Sequence, residues 1–90
     1  MNRVVITVVG KDSVGIIAEV CNTLSNHGVN ILDISQTIVQ DFFNMMMLTD
    51  ISKCDVPFDI LQEELKSAGD KKGVEVRCQR EEIFTSMHRI

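Results

Sequence analysis

The segment VVITVVGKDSVGI, residues 4–16, decides how this chain begins to fold. Its first half is rich in β-branched residues, which favour an extended backbone, so we predict a strand over Arg3–Val9. The side chain of Asp12 or Ser13 can then cap a helix that ends near Asn26-His27-Gly28. The apolar residues of this helix recur at three- and four-residue steps and are predicted to face the core: Val14, Ile17, Ala18, Cys21 and Leu24.

A predicted β-hairpin follows this first helix. Asn30–Gln40 alternates in polarity like a strand, with three apolar residues on one face: Leu32, Ile34 and Ile38. The return strand, Phe42–Ile51, carries large apolar side chains on both faces in the run Met45–Met47. Helices on one side of a sheet cover only half of such a strand, so we expect another subunit to cover the other face.

The rest of the chain predicts a second helix, a fourth strand and a short terminal helix. Pro57 fits the first turn of the second helix, which is expected to end at Gly69 or Gly73. Its predicted buried stripe consists of Phe58, Leu61, Leu65 and Ala68. Val74–Gln79 alternates as a strand with one solvent face. The tail, Glu81–Ile90, predicts a helix that gathers four apolar residues on one side: Ile83, Phe84, Met87 and Ile90.

The element order is β-α-β-β-α-β followed by a terminal helix, which predicts an α+β fold of the ferredoxin-like type. In this fold a four-stranded antiparallel sheet carries two helices on one face. The chain has 90 residues, enough for one hydrophobic core. We divide it into a domain at residues 1–80 and a helical extension at residues 81–90. Because the fold hosts many unrelated activities, function has to be argued from the site.

Charge and composition restrict the functions that this chain can serve. Nine Lys and Arg residues stand against 13 Asp and Glu residues, giving a net charge of -4. Phosphate groups are neutralised by clustered positive charge, so we expect neither nucleic-acid nor membrane binding. The apolar runs are too short for a membrane helix, and the first residues lack a signal-peptide pattern. Three widely spaced cysteines fit reduced thiols, and we expect a cytoplasmic protein.

The segment Gly10–Ile16 is the candidate binding element. It joins the first strand to the predicted helix start, where the N–H groups of Val14, Gly15 and Ile16 lack helical partners at the positive end of the helix dipole. A carboxylate or phosphate can be held by such a group of amides. A purely structural role is the alternative, in which Gly10 serves a tight turn and Asp12 caps the helix. The spacing fits neither a Walker A loop nor the Rossmann fingerprint, so nucleotide binding is unsupported.

This segment resembles the ACT domain, a small regulatory module of enzymes in amino-acid metabolism. The resemblance rests on Gly-x-Asp-x-x-Gly-Ile at residues 10–16 and on Gly-Val-Asn-Ile at residues 28–31. Together with the predicted element order, the pattern extends over about Val4–Gln79. The stretches NILDISQTI, FFNMMMLTDI and EIFTSMHRI are similar to the stand-alone single-ACT-domain proteins of bacteria and archaea. Related domains occur at the N-terminus of formyltetrahydrofolate deformylase and in the glycine cleavage system regulator.

The resemblance implies a homodimer that binds a small ligand, typically an amino acid, between the first loop of one subunit and the second-strand region of its neighbour. In the serine-sensing domain of phosphoglycerate dehydrogenase, ligand-contacting side chains occupy the places held here by Gly10, Asp12 and Asn30. Gly10 replaces a histidine of that regulator, which argues against serine as the ligand. The candidate ligand-binding residues are Gly10, Lys11, Asp12, Ser13, Val14, Gly15, Ile16, Asn30, Ile31, Asp33 and Gln36.

The other reactive residues give weak signals for chemistry. His27 sits beside a helix end, His88 lies in the tail, and neither has a partner at metal-ligand spacing. No acid, base or nucleophile pair is evident, so we expect no enzyme activity, no cofactor and no metal. The leading hypothesis is therefore a non-catalytic sensor of an amino acid that modulates a protein partner. The alternative is an oligomerisation or protein-interaction scaffold that binds no small molecule.

Overall fold

The predicted element order is confirmed. A computed structural model describes residues 2–11 and 15–87, without the side chain of Met87, and within these ranges the order is β1 (Arg3–Lys11), α1 (Ile16–Asn26), β2 (Asn30–Val39), β3 (Phe42–Asp50), α2 (Phe58–Lys72), β4 (Glu75–Arg80) and α3 (Glu81–Met87). The four strands form one antiparallel sheet in the order β2-β3-β1-β4. This is the ferredoxin-like arrangement with a short C-terminal helix, as predicted.

The core lies between one face of the sheet and the helices α1 and α2. Its strand residues include Ile6 on β1 and Met45 and Met47 on β3, all fully buried. Thr49 is a buried polar residue in this layer, and its hydroxyl donates a hydrogen bond of 2.9 Å to the Val4 carbonyl oxygen. That bond satisfies the hydroxyl inside the core, where an unpaired polar group would be costly.

Helix α1 begins two residues later than predicted and buries a different stripe. The buried residues are Ile16, Val20 and Leu24, whereas Ile17 is 36% exposed and Ala18 is also exposed. Cys21 is half-buried. Two stripes that share Leu24 fit the same helical period, and where the helix begins decides which one faces the sheet. The predicted core position of Val14 lies outside the described residues.

The strand β1 continues through Gly10 to Lys11 instead of stopping at Val9. Gly10 pairs with Phe43, and Lys11 pairs with Phe42. A Cβ atom on Gly10 would lie 2.8 Å from the Cγ1 atom of Val74, which is too close for a side chain. Because Gly10 has no side chain, β1 can extend past Val74, the residue that precedes β4.

The strand β2 forms an edge of the sheet and contains a bulge. The register with β3 shifts between Ile31 and Asp33, so Leu32 is the extra residue and does not share a regular face with Ile34. Ile34 and Ile38 are 44% and 53% exposed, although their partners on β3 are buried. Helix α2 packs against β4, at the opposite edge of the sheet, and the helices leave these β2 side chains open.

Helix α2 follows the sequence prediction closely. Pro57 is its N-cap, and Gly73 ends it with a positive φ of 71°. Gly69 is an internal position, where a Cβ atom would lie 2.6 Å from Cγ2 of Val76 on β4. Of the two predicted end points, Gly73 is thus the correct one, because Gly69 is required for close helix–strand packing.

The second face of the sheet is only partly covered, by α3. Arg3 and Glu81 form an exposed ion pair of 3.4 Å, and the Phe84 side chain is half-buried over the sheet. Of the predicted apolar cluster on this helix, Ile83 stays 51% exposed, while Ile90 and the side chain of Met87 lie outside the described residues. Met46 on this face is 43% exposed. Among the described helices, none combines the length and the apolar character that a bilayer crossing demands.

Candidate functional site

The N-terminus of α1 presents backbone amides beside the end of β1. Gly15 is the N-cap, with a left-handed φ of 84°, and its carbonyl accepts a 2.9 Å hydrogen bond from the Glu19 amide. The first-turn amides therefore belong to Ile16, Ile17 and Ala18, and the prediction of Val14, Gly15 and Ile16 was two residues early. No side chain caps this helix among the described residues. The predicted site residues Asp12, Ser13 and Val14 lie outside the described residues.

A lysine from α2 lies next to this helix start. The Lys72 ammonium group is 3.5 Å from the position that a Cβ atom on Gly15 would occupy. The Lys72 residue is half-buried, and Lys11 is exposed at the end of β1. Positive charge and the helix dipole thus favour an anion at the same place. Sequence reasoning missed Lys72, because only the packing of α2 brings it near a loop that precedes it by about sixty residues.

Gly10 has a packing role in the structure. It is half-buried, and Val74 occupies the space where its side chain would lie. Gly10 also stays within the β1–β3 ladder instead of forming a turn. The interpretation of Gly10 as a turn residue was therefore wrong, and its direct contribution to a ligand site is limited to backbone atoms.

The predicted site residues on β2 lie far from the α1 start within one chain. Asn30 pairs with Asp50, which in turn pairs with Arg3 at the opposite end of the sheet from Gly10. Arg3 and Gly10 are seven positions apart in β1, which corresponds to about 23 Å along an extended strand. A single chain therefore does not bring the Gly10–Ile16 segment and Asn30 together.

Two further predicted site residues, Asp33 and Gln36, lie on opposite faces of β2, because they are three residues apart and both follow the bulge. Gln36 pairs with Met45, whose side chain lies in the core, so Gln36 is on the helix-facing side of the sheet. Asp33 pairs with Leu48 on the other side, and its carboxylate accepts a 2.9 Å hydrogen bond from the Ile34 amide. Ile31 is half-buried against the core. Asp33 and Gln36 thus cannot contact one ligand on the same face of the sheet.

Asn30 lies beside a charged group that sequence reasoning did not select. It lines a surface cavity of about 240 Å³ together with Gly28, Asp50 and Lys53. The hydroxyl and amide of Ser52 donate hydrogen bonds of 2.6 and 3.0 Å to the Asp50 carboxylate and lower its pKa. Asp50 is therefore ionised at neutral pH, and an ammonium group near Asn30 would meet a negative charge.

The cysteines and histidines form no metal centre within residues 2–11 and 15–87. The three cysteines are free, and burial raises the pKa of the Cys78 thiol to about 12. The thiol of Cys78 therefore stays protonated and unreactive at neutral pH. His27 contacts Asp55 and Glu64 instead of a metal site, and His88 lies outside the described residues.

Sequence comparison finds relatives that the chain matches over their whole length. Residues 2–79 match the model of the ACT domain family. A UPF0237 protein of Bifidobacterium longum is 59% identical over 90 residues, covering 100% of both chains. A UPF0237 protein of the archaeon Methanocaldococcus jannaschii is 50% identical, again over 100% of both chains.

Structure comparison gives the same assignment. An ACT domain protein from Streptococcus pneumoniae superposes with a TM-score of 0.79 and 37% identity, covering 92% of this chain and 93% of that chain. A formyltetrahydrofolate deformylase from Pseudomonas syringae shares the fold, with a TM-score of 0.81 and 21% identity over 89% of this chain and 28% of that chain. A protein described as a glycine cleavage system transcriptional repressor superposes with a TM-score of 0.72 and 27% identity, covering 88% of this chain and 45% of that chain. The chain belongs to the ACT domain family and, within it, to the UPF0237 proteins.

Proposed function

We propose that this protein is a non-catalytic sensor that binds an amino acid between two copies of the chain and modulates a protein partner. ACT domains are typically regulatory ligand-binding modules. The observation that carries the proposal is the placement of the candidate residues at opposite ends of the sheet, with β2 at its edge. A second copy would complete a site that one chain leaves divided.

The two edges of the sheet differ in a way that favours pairing through β2. On β4, the side-chain amide of Gln62 donates a 2.6 Å hydrogen bond to the Cys78 carbonyl, and α2 packs along this strand. The β2 edge is not paired with another strand among the described residues. Its apolar side chains are exposed by 37 to 62%: Leu32, Ile34, Ile38 and Val39. An exposed apolar edge strand is a template for adding another strand.

Antiparallel pairing of two β2 strands would reunite the two halves of the site. The midpoint of β2 falls between Ile34 and Ser35. A two-fold axis there would place Asn30 opposite Val39 of the partner subunit. Val39 lies at the Lys11 end of its own sheet, since both residues pair with Phe42. Asn30 of one copy would thus approach the α1 start of the other.

The two half-sites carry the charges that an α-amino acid requires. The amides at the start of α1 and the Lys72 ammonium would hold the carboxylate. Asn30 and the ionised Asp50 carboxylate would accept hydrogen bonds from the ammonium group. We propose that the carboxylate of Asp12, which follows Lys11 in the sequence, also accepts a hydrogen bond from the ligand ammonium group. No proton transfer or bond cleavage is needed for this recognition, which is why the proposed role is sensing and not catalysis.

A thermal-shift screen of the purified protein against the twenty amino acids, followed by calorimetry of each hit, tests this function. Saturating a native-state site at a hundred times Kd stabilises a protein by about 2.7 kcal/mol, which gives a measurable shift. At least one amino acid should raise the melting temperature. A folded dimer that responds to none would favour the scaffold alternative, which the packing role of Gly10 already supports.

Lys72→Met should weaken binding of the identified amino acid by about tenfold, because one charge-assisted contact to its carboxylate is lost. Lys71→Met is the matched control, since it removes the same charge one residue earlier, where Lys71 lines a surface pocket with Glu64 and Ser67. Calorimetry measures both affinities. Equal losses in the two variants would show that only net charge matters and would remove Lys72 from the site.

We place the protein in the cytoplasm, where free amino acids and their enzymes occur, and we expect neither nucleic acid nor membrane among its partners. The division into an ACT domain at residues 1–80 and a helical extension at residues 81–90 stays a prediction. The regulated partner is a protein whose affinity differs between the free and the ligand-bound sensor.

A further inference from the structure

His27 is held between two carboxylates at the junction of α1 and β2. Its Nδ1 atom lies 2.7 Å from Oδ1 of Asp55, and its Nε2 atom lies 2.5 Å from Oε2 of Glu64. The imidazole side chain is 18% exposed. Asp55 belongs to the loop between β3 and α2, and Glu64 belongs to α2. One side chain therefore connects three parts of the fold.

The chemistry of the imidazole ring sets the protonation state of this cluster. A neutral imidazole has one N–H donor and one nitrogen lone pair. With both nitrogens at hydrogen-bond distance from carboxylate oxygens, a neutral ring would direct its lone pair at one of those oxygens. Only the imidazolium ion donates to both carboxylates at once. The observed contacts thus need one bound proton.

Backbone contacts make the same junction sensitive to the position of His27. The Asp55 amide donates a 3.1 Å hydrogen bond to the His27 carbonyl oxygen. Gly28 follows with a φ of 73°, and a Cβ atom there would lie 2.9 Å from the Lys53 carbonyl oxygen. Asn30, the first residue of β2, comes two residues later. Movement of His27 would therefore be transmitted to the start of β2.

We infer that the proton shared by His27, Asp55 and Glu64 is a structural ligand, and that these three residues form a pH-sensitive clasp that fixes the α1–β2 junction. The charged groups that face the ring are Asp55 from the loop and Glu64 from α2. The acidic residue Glu19 of α1 and the basic residue Lys71 of α2 line the same surface pocket as Glu64. Lys53 approaches Gly28 through its backbone oxygen.

The direction of the pH effect follows from the two carboxylates. The hydrogen bond to Asp55 and the charge of Glu64 raise the pKa of His27 above 6.5, its ordinary value. The folded state therefore holds this proton more tightly than the unfolded state does. The stabilisation is fully present below pH 6.5 and is lost as the pH rises through the pKa of the folded protein. Above that value the clasp contributes nothing.

An NMR titration of the ligand-free protein tests the clasp directly. The chain has two histidines, and His88→Gln leaves the His27 signal to be followed alone. The midpoint for His27 should lie above 6.5, and Glu64→Gln or Asp55→Asn should each lower it. A midpoint at or below 6.5 that neither variant changes would overturn the inference. Because no amino acid is added, this result is independent of the proposed sensing function.

Urea unfolding between pH 6 and 9 measures the coupling to stability. As the pH rises from 6 to 9, the unfolding equilibrium constant of the wild type should increase relative to that of His27→Gln. The increase should be about tenfold for each unit by which the pKa of His27 in the folded state exceeds its pKa in the unfolded state. Parallel pH profiles for the two proteins would contradict the clasp. If His27→Gln does not fold, Glu64→Gln serves as the comparison, because it retains the histidine and removes one of its two charged partners.

Discussion

Ile34→Lys should convert the protein from a dimer into a monomer and abolish amino-acid binding. Ile34 is 44% exposed near the middle of β2, on the strand edge through which we propose that two copies pair. A two-fold axis near the strand midpoint brings this residue close to its own copy. The substitution would place two like charges across the axis and remove two apolar side chains from the interface, so both effects oppose pairing.

Size-exclusion chromatography with light scattering, at micromolar concentration, measures the effect. Ile60→Lys is the matched control, because Ile60 is 39% exposed on α2 and the substitution introduces the same charge away from β2. The control should remain dimeric. A dimeric Ile34→Lys protein, or a wild type that is already monomeric, would contradict pairing through β2.

Asp12→Ala and Asn30→Ala should each weaken amino-acid binding by about tenfold to a hundredfold while leaving the dimer intact. Each removes one acceptor from the ligand ammonium group, and hydrogen bonds to charged groups contribute about 1.5–3 kcal/mol. Because the proposed dimer has two equivalent sites, each variant damages both. Calorimetry measures the affinity, and light scattering checks the dimer.

Two substitutions control for these losses. Glu63→Ala removes a carboxylate from the exposed face of α2, and Asn22→Ala removes an amide from the exposed face of α1. Neither should change the affinity. If Asp12→Ala unfolds the protein instead of weakening binding, then the main role of Asp12 is structural capping near the start of α1. Asp12 would then no longer count as a ligand-binding residue.

Local sequence patterns were sufficient to predict the order and type of the elements. The β-branched run of β1, Pro57 before α2 and Gly73 after it act through their own backbone preferences, which operate at short range. The sequence pattern did not determine which side of α1 is buried. Two sets of apolar residues satisfy the same period, and the left-handed Gly15 at the helix start was not visible in the pattern.

The bulge at Leu32 was also beyond the reach of the alternation pattern. A strand with one extra residue reverses the alternation between its two faces, and the apolar and polar residues of β2 fit a regular strand as well. Asp33 and Gln36 lie on opposite faces for a different reason, since they are three residues apart and both follow the bulge. Ligand contact by either residue stays a prediction. Exposure of Ile34 and Ile38 follows from the edge position of β2, which is a property of the whole sheet.

The candidate site depends even more on tertiary structure. Lys72 reaches Gly15 through the packing of α2, and Asp50 meets Asn30 through the pairing of β2 with β3. Neither contact can be predicted from the spacing of residues in the sequence. The resemblance to ACT domains identified Asn30 as a candidate, and the strand pairing then placed it at the opposite end of the sheet from Gly10, so a shared site requires two chains.

Mixing two defective variants tests most directly whether the site is shared between two chains. Asp12→Ala and Asn30→Ala proteins are combined in equal amounts, unfolded and refolded together, and titrated by calorimetry with the amino acid that the thermal-shift screen identifies. In each mixed dimer one site carries both substitutions and the other carries neither. We expect about one quarter of all sites to regain wild-type affinity. Absence of any such sites, in a mixture shown to contain mixed dimers, would place both residues in a site within one chain and contradict a site shared between two chains.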